Sequence, residues 1–349
     1  MAQFIFLKPE FPTIYESANK AVSAANPDPR TACFYARRAL ELTVNWIYKH
    51  DTSLELPYQD NLSALIHEPT FKNLVGEAVF NKARVIIKLG NQAVHSARPI
   101  LVNDAINALR ELFHVAYWLV HTYGRSSKLS PGLTFNPDAL PKTAPVPKQT
   151  IEQLQKLETQ LRDRDEKLST LLADKTALDE ELKRLRVEVA AAKIASTTRP
   201  DTHDYSEAQT RDIFIDLLLT EAGWTLDQTR DSPQATLRER EFEVTGMPNS
   251  SGKGFVDYVL WGDDGKPLGI VEAKRTRHDP RIGQQQAKLY ADCLETQFNQ
   301  RPAIFYSNGY EHWLWDDTNY PPRQIQGFYK KTELELLVQR RTAGLPASH

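Results

Sequence analysis

The first third of the chain repeats its apolar residues with the period of an α-helix. Apolar side chains recur at every third or fourth position through residues 32–50, 75–95 and 102–123, a spacing that places them along one face of a helix. Proline-containing loops separate these segments. Residues 1–125 are therefore predicted to form a helical bundle whose apolar faces meet in a common core.

A different pattern follows this bundle. Residues 126–147 contain five prolines and little periodicity, so we expect a linker there. Over residues 148–196 the apolar side chains repeat in heptads, with Arg164 and Lys175 as the exceptions. That repeat predicts one long coiled-coil helix, packed against another chain (by self-association or with a partner) or against a helix of this chain. Its role is either a structural rod or an arm for docking to a larger assembly.

After a second linker at 197–204 the pattern becomes that of an α/β domain, predicted over residues 205–342. Its opening helix is expected over 206–222, where an apolar stripe begins. Two apolar runs, 255–261 and 268–274, flank a turn rich in glycine and aspartate. Such runs on either side of turn residues predict a β-hairpin.

Three further elements complete the predicted domain. Residues 238–244 form a mostly polar first strand, and an apolar strand ends at Tyr306. Residues 333–341 are predicted to be a helix. The chain is thus expected to combine a helical bundle, a coiled coil and an α/β domain with a mixed sheet.

Charged residues interrupt the apolar wall of the hairpin. If its strands pair about the middle of the turn, Asp257 lies opposite Glu272, and alternation places Lys274 on the same face as Glu272. Two carboxylates about 4 Å apart repel by roughly 4 kcal/mol at an effective dielectric of 20. A Mg²⁺ ion, which takes one or two protein carboxylates, would offset that repulsion, and Lys274 would orient a water. The alternative is a solvated cross-strand charge cluster.

These residues also carry a family resemblance. Asp257 followed by Glu272-x-Lys274 resembles the PD-(D/E)XK nuclease motif. Downstream, Gln286 and Tyr290 match a Gln-x-x-x-Tyr element of one branch of that superfamily. Residues four apart share one face of a helix, so both side chains are expected to support the site or the DNA.

The order of the pieces resembles the N-terminal region of the restriction subunit of type I restriction-modification enzymes. The resemblance also includes residues 221–224 before the hairpin and 306–309 after it. It implies a metal-dependent DNA endonuclease, with Asp257 and Glu272 as Mg²⁺ ligands and Lys274 placing the water. Mn²⁺ is expected to substitute for Mg²⁺.

The resemblance implies double-stranded DNA as substrate, and the modification and specificity subunits of a restriction complex as partners. Restriction subunits continue into an ATP-driven motor, yet no Gly-x-x-x-x-Gly-Lys-Ser/Thr motif occurs in this sequence. ATP use is therefore expected only of a full-length protein, with residues 343–349 beginning the connection to its motor. A non-catalytic module that binds DNA and assembles a restriction or defence complex is the alternative.

Two sets of residues add weaker expectations around the hairpin. Related nucleases place an acidic residue on the opening helix, for which Glu207, Asp212 and Asp216 are candidates, although Gln209 replaces the usual glutamate. Basic residues near the motif are candidates for phosphate contacts, with exposed surface as the equal alternative. These basic residues are Lys253, Arg275, Arg277, Arg281 and Lys288.

A rival activity comes from the helical part. Asn91 and His95 resemble the Asn-x-x-x-His stretch of HEPN-type helical domains, some of which cleave RNA. Active members carry an arginine before the asparagine, where this chain has Gly90, and Arg84 lies too far round the helix to replace it. We expect Asn91 and His95 to make a buried polar contact instead.

Composition sets the remaining limits. The 349 residues have a net charge of −2, so any contact with DNA must come from local basic patches. The two cysteines, Cys33 and Cys293, exclude a disulfide framework and a cysteine zinc site. No signal sequence or apolar run of about 18 residues is present, so we expect a cytoplasmic protein without a membrane contact.

Overall fold

The computed structural model shows two compact units, Met1–Tyr205 and Ser206–His349. Each unit is built around its own buried core, the first helical and the second a sheet with helices. The structure describes residues 3–59, 61–125, 129–130, 132–143, 148–173, 176–224, 235–236, 242–273 and 283–343.

The first unit contains the predicted helical bundle. The three helices expected from periodicity are present, together with two shorter ones. The helices are α1 (Pro12–Ala24), α2 (Pro29–His50), α3 (Leu62–His67), α4 (Pro69–His95) and α5 (Val102–Tyr123). Asp28 caps α2 by accepting a hydrogen bond from Thr31 N at 3.3 Å. Gly76 interrupts α4 with a φ of 73°, which glycine adopts without strain.

The bundle core is tightly packed where α2 crosses α4. A Cβ built on Gly90 would lie 2.4 Å from the Cβ of Arg37, so only glycine permits this approach. One ion pair lies inside the core, where Lys82 Nζ is 3.1 Å from Glu111 Oε2 and both side chains are 0% exposed. Among the described residues, no helix is long and apolar enough to cross a membrane.

The structure describes the heptad region as two helical segments, one on either side of residues 174–175. These are α6 (Ile151–Ala173) and α7 (Thr176–Thr197), and residues 174–175 lie outside the described part. Both helices pack on the bundle: Leu154 of α6 and Val189 of α7 are buried, and Lys193 Nζ is 2.6 Å from Asp51 Oδ2. Two residues of the heptad seam are thus buried within this chain, and a coiled coil with another chain stays a prediction.

The second unit is a mixed sheet with helices on both faces. Its helices are α8 (Glu207–Glu221), α9 (Gln284–Phe298) and α10 (Lys331–Ala343). Its strands are β1 (Ala235–Thr236), β2 (Phe242–Thr245), β3 (Lys253–Val256), β4 (Tyr258–Trp261), β5 (Pro267–Ala273), β6 (Ala303–Ser307), β7 (His312–Trp315) and β8 (Arg323–Ile325). Six strands form one sheet in the order β1-β4-β5-β6-β7-β8, and β2 pairs with β3 in a second sheet.

The predicted hairpin register is confirmed. Strands β4 and β5 pair antiparallel with Tyr258 opposite Val271 and Val259 opposite Ile270. The prediction of one continuous strand over residues 255–261 is wrong, because the chain bends at Asp257. The part before the bend, β3, pairs with β2 instead of continuing along β5. Asp257 therefore lies at the junction of two sheets.

The two faces of the large sheet bury different helices. Tyr258, Val271 and Phe305 belong to a cluster with residues of α8 and α10. Val259, Ile270 and Ile304 belong to a second cluster with residues of α9. Because side chains alternate along a strand, Glu272 of β5 is in phase with the second set, whereas Asp257 lies at the bend between β3 and β4. Glu272 thus belongs to the face covered by α9.

Candidate active site

The ends of β4 and β5 bring Asp257 and Glu272 together. Continuing the observed register by one residue beyond Tyr258 and Val271 places the two acids opposite each other. The backbone N–H of Ala273 donates a hydrogen bond to Asp257 Oδ2 at 2.6 Å. A charge-assisted bond of this kind orients a carboxylate strongly. The Asp257 carboxylate is therefore held beside the residue that follows Glu272.

Glu272 is deeply placed for an acidic residue, with only 3% of its surface exposed. Its neighbour in the parallel register of β6 is Tyr306, whose buried ring stacks on Trp313 with centroids 6.1 Å apart. Burying an ionised carboxylate among aromatic and aliphatic groups is costly unless a cation or hydrogen bonds compensate. A carboxylate in this position therefore needs a compensating partner.

Helix α9 contributes Gln286 and Tyr290 to the same face of the sheet. Gln286 Nε2 donates a hydrogen bond to Tyr290 Oη at 2.6 Å, which confirms that the two side chains share one face of the helix. The Tyr290 ring is buried, and a Cβ built on Gly254 would lie 2.6 Å from its Cε1. Tyr290 thus packs against β3, and its hydroxyl group orients the side-chain amide of Gln286.

The acidic residues of α8 are placed elsewhere. Asp216 Oδ1 accepts a hydrogen bond from Tyr258 Oη at 2.9 Å, on the face of the sheet opposite Glu272. Asp212 forms an ion pair with Arg211 at 2.8 Å, and Glu207 lies in the first turn of the helix. Within the described ranges, no group of three or more His, Cys, Asp or Glu residues is arranged to hold a metal. A third acidic ligand from α8 has no support.

Some of the predicted site residues cannot be placed. Lys274, the predicted water-orienting residue, lies outside the described residues, as do Arg275, Arg277 and Arg281.

The two described lysines among the predicted phosphate contacts both have acidic neighbours. Lys253 Nζ is 2.7 Å from Glu243 Oε1, and Lys288 Nζ is 3.2 Å from Asp292 Oδ1. All four side chains are substantially exposed, so these ion pairs are weak and leave both ammonium groups accessible to a phosphate.

The expected buried contact between Asn91 and His95 is wrong, because both residues are exposed at the end of α4. They follow Gly90, whose lack of a side chain is explained by its packing against Arg37 of α2. The residue that would carry the cation of an active HEPN member is thus a packing residue here. Nothing in this arrangement supports RNA cleavage.

An ion-pair network in the sheet unit was not anticipated from the sequence. Arg301 Nε donates to Asp317 Oδ1 at 3.0 Å, and Arg341 Nε donates to Asp316 Oδ1 at 2.9 Å. Arg341 Nη1 also bonds the carbonyl oxygen of Arg301 at 2.6 Å. The network joins α10 to the ends of the sheet. Its members are too far apart in sequence for any local pattern to reveal them.

Comparison with known proteins supports the resemblance. Residues 237–323 match the family described as the type I restriction enzyme R protein N terminus, and residues 19–132 match a domain of unknown function, DUF4145. The chain is 23% identical over 348 residues to the type I restriction enzyme EcoKI endonuclease subunit of Escherichia coli (strain K12). That alignment covers 85% of this chain and 28% of the subunit.

A solved fragment assigned as an HsdR subunit of a type I restriction enzyme from Vibrio vulnificus YJ016 is also similar. It shares 24% identity at a TM-score of 0.30, over 40% of this chain and 26% of that one. The sequence matches therefore carry the relationship. The chain is similar to the N-terminal region of type I restriction enzyme R subunits and spans little more than a quarter of their length.

Proposed function

We propose that the sheet unit hydrolyses phosphodiester bonds of double-stranded DNA with a divalent cation held by Asp257 and Glu272. The observation that carries the proposal is the placement of these acids at adjacent strand ends, with Asp257 oriented by Ala273 N–H. The order Asp257, Glu272, Lys274 supports a PD-(D/E)XK nuclease fold. In this proposal the chain is the nuclease part of a type I restriction enzyme R subunit, acting with modification and specificity subunits.

The residues present fit a hard cation such as Mg²⁺ or Mn²⁺. Both candidate ligands are carboxylates, the ligand type that Mg²⁺ prefers, and a pair of them is the usual number. When bound, the ion would neutralise phosphate charge and acidify a water. Ala273 fixes one carboxylate, and the Gln286–Tyr290 pair supports the same face from α9. Lys274 would hold the attacking water and stabilise negative charge on the phosphate.

The test combines metal binding with cleavage in the full chain. Loss of the electron paramagnetic resonance signal of free Mn²⁺ reports binding, and nicking of supercoiled plasmid reports hydrolysis. Asp257→Asn and Glu272→Gln preserve shape and remove charge. Both are expected to weaken Mn²⁺ binding and reduce nicking by at least about a hundredfold, since a bound metal contributes several kcal/mol. Lys274→Ala is expected to retain Mn²⁺ binding and lose nicking.

The matched control is Asp264→Asn, in the exposed turn of the same hairpin. It removes one carboxylate from the turn between the same two strands. Mn²⁺ binding and plasmid nicking are both expected to stay unchanged. Equal loss in Asp264→Asn would show a nonspecific charge effect and contradict the assignment. Retained DNA binding without Mn²⁺ binding or nicking in the wild-type chain would favour the non-catalytic assembly module.

A further inference from the structure

One aromatic side chain near the candidate site is exposed without a structural task. Of the fourteen phenylalanines in the chain, all of which lie in the described residues, Phe255 alone is exposed, at 47%. Phenylalanine side chains carry a large apolar surface that folding normally buries. A phenylalanine that contributes little to the core is a candidate for contact with a ligand.

The strand around Phe255 fixes which way it points. Along β3 the exposed residues are Lys253 and Phe255, and the buried ones are Gly254 and Val256. Gly254 is backed by the ring of Tyr290, and Val256 belongs to the cluster with α9. The inner face of β3 is therefore filled, and strand alternation directs Phe255 outwards.

Phe255 is close enough to Asp257 in the chain for one bound DNA strand to contact both residues. Asp257 follows two residues later, at the bend, so the Cα atoms of the two residues are no more than about 7 Å apart. One DNA strand advances about 3.4 Å per nucleotide. A strand whose phosphate lies at Asp257 would thus bring a neighbouring base, one or two nucleotides away, within reach of the Phe255 ring.

We infer that Phe255 is a positioning residue that stacks on an unstacked base beside the phosphate bound at Asp257. The inference rests on the proposed function and goes beyond it, because it names the form of DNA that the site takes. An intact duplex offers no free base face near its backbone, whereas a mismatched or locally opened duplex does. Stacking on an aromatic side chain accepts any base, in keeping with the absence of a base-reading motif.

Lys253 lies on the same outer face and completes the contact. Its ammonium group pairs with Glu243 at 2.7 Å while half of its side chain stays exposed. Glu243 is the direct neighbour of Phe255 across the β2–β3 ladder. An ammonium group near an aromatic ring suits a nucleotide, which presents a phosphate and a flat base together.

The experiment measures DNA binding by the full chain without cleavage, in EDTA and in Ca²⁺. Fluorescence anisotropy compares a perfect duplex with one of equal length that carries a central bubble of a few mismatches. The wild-type chain is expected to prefer the bubble by roughly tenfold, the usual scale of one base–aromatic stack. Phe255→Ala is expected to lose that preference, and Phe255→Trp to keep it.

Tyr320→Ala provides the matched control, because Tyr320 belongs to the same unit and is also 47% exposed. It is expected to keep the preference for the bubble. Since Phe255 is largely outside the core, Phe255→Ala is expected to leave the thermal unfolding midpoint near that of the wild type. That measurement separates a lost contact from a lost fold.

The outcomes separate this inference from the proposed nuclease. A bubble preference that disappears only in Phe255→Ala supports the stacking role, even where plasmid nicking fails and the nuclease proposal falls. Nicking with an unchanged preference in Phe255→Ala overturns the stacking role and leaves the nuclease standing. Absence of any DNA binding by the wild-type chain also overturns the stacking role.

Discussion

Each unit of this protein buries a glutamate, and the two glutamates have different charged neighbours. Glu111 of the helical unit lies beside Lys82, and both side chains are fully enclosed. Glu272 of the sheet unit lies at a strand end, next to a second carboxylate. A buried charge is tolerated only with a compensating charge or hydrogen bonds. The bundle supplies the opposite charge internally, whereas in the proposed function a cation from solution compensates the carboxylate pair.

The surroundings of the two glutamates extend this contrast. Near Lys82 the bundle also encloses His114, whose Nδ1 is 2.8 Å from His203 Nε2, and the His203 ring stacks on Tyr117 at 3.8 Å. These side chains contact one another inside the helical unit, by a hydrogen bond between the two histidines and by ring stacking. At the sheet edge, Asp257 is half-buried and its orienting bond comes from the backbone. Mutual contacts inside the unit indicate a structural role for the histidines, and the proposed function assigns the carboxylate pair to a metal ion.

The largest effect on stability is expected from breaking the internal pair. Lys82→Met keeps the length of the side chain and leaves Glu111 enclosed without its ammonium group, which should destabilise the helical unit by about 3–5 kcal/mol. Urea titration followed by hydrogen exchange in peptides of α4 and α5 measures this loss. The double variant Lys82→Met with Glu111→Leu should recover much of it. A loss below about 1 kcal/mol in Lys82→Met would show that the pair is not structural.

A smaller effect on stability, confined to the sheet unit, is expected from the binding of Mg²⁺. Mg²⁺ at a hundred times its dissociation constant should stabilise the sheet unit by about 2.7 kcal/mol, seen as slower hydrogen exchange in β4 and β5. Peptides of the bundle serve as the internal control and should not respond. Glu272→Gln should abolish the response. Protection of both units by Mg²⁺, or persistence in Glu272→Gln, would contradict an externally compensated site.

The smallest effect is expected from pH and is confined to the helical unit. Burial, with help from Lys82 and His203, lowers the pKa of His114 from 6.5 to about 2, and burial also lowers the pKa of His203. The unfolded chain therefore binds more protons below pH 6.5. The stabilisation is complete above that pH and is lost progressively as the pH falls towards 2, by about 1–2 kcal/mol at pH 5.

Unfolding of the bundle at pH 7 and pH 5, again followed by hydrogen exchange, checks this expectation. His114→Asn removes one of the two histidines and should flatten the pH dependence. His95→Asn is the control, because His95 is exposed, and should leave the dependence as in the wild type. A bundle that gains stability between pH 7 and pH 5 would contradict the sign.

Local pattern was sufficient for the three long helices of the bundle and for the β4–β5 register. Helical periodicity identifies α2, α4 and α5 because each helix buries one apolar face in the core. The register follows from the turn and from the alternation of side chains, since a slip of one residue would expose the apolar face. The pairing of Asp257 with Glu272 could be predicted from the sequence for the same reason. These features depend on residues near one another in the chain.

Only the tertiary structure decided the features that depend on distant residues. The strand predicted over residues 255–261 breaks at Asp257 because β2 offers β3 a second pairing partner. Leu154 and Val189 of the heptad seam are buried within this chain, although the repeat alone suits any partner. Asn91 and His95 are exposed because Gly90 brings α4 against α2 along another face. In each case the deciding contact joins segments far apart in sequence, and local periodicity carries no information about which segments meet.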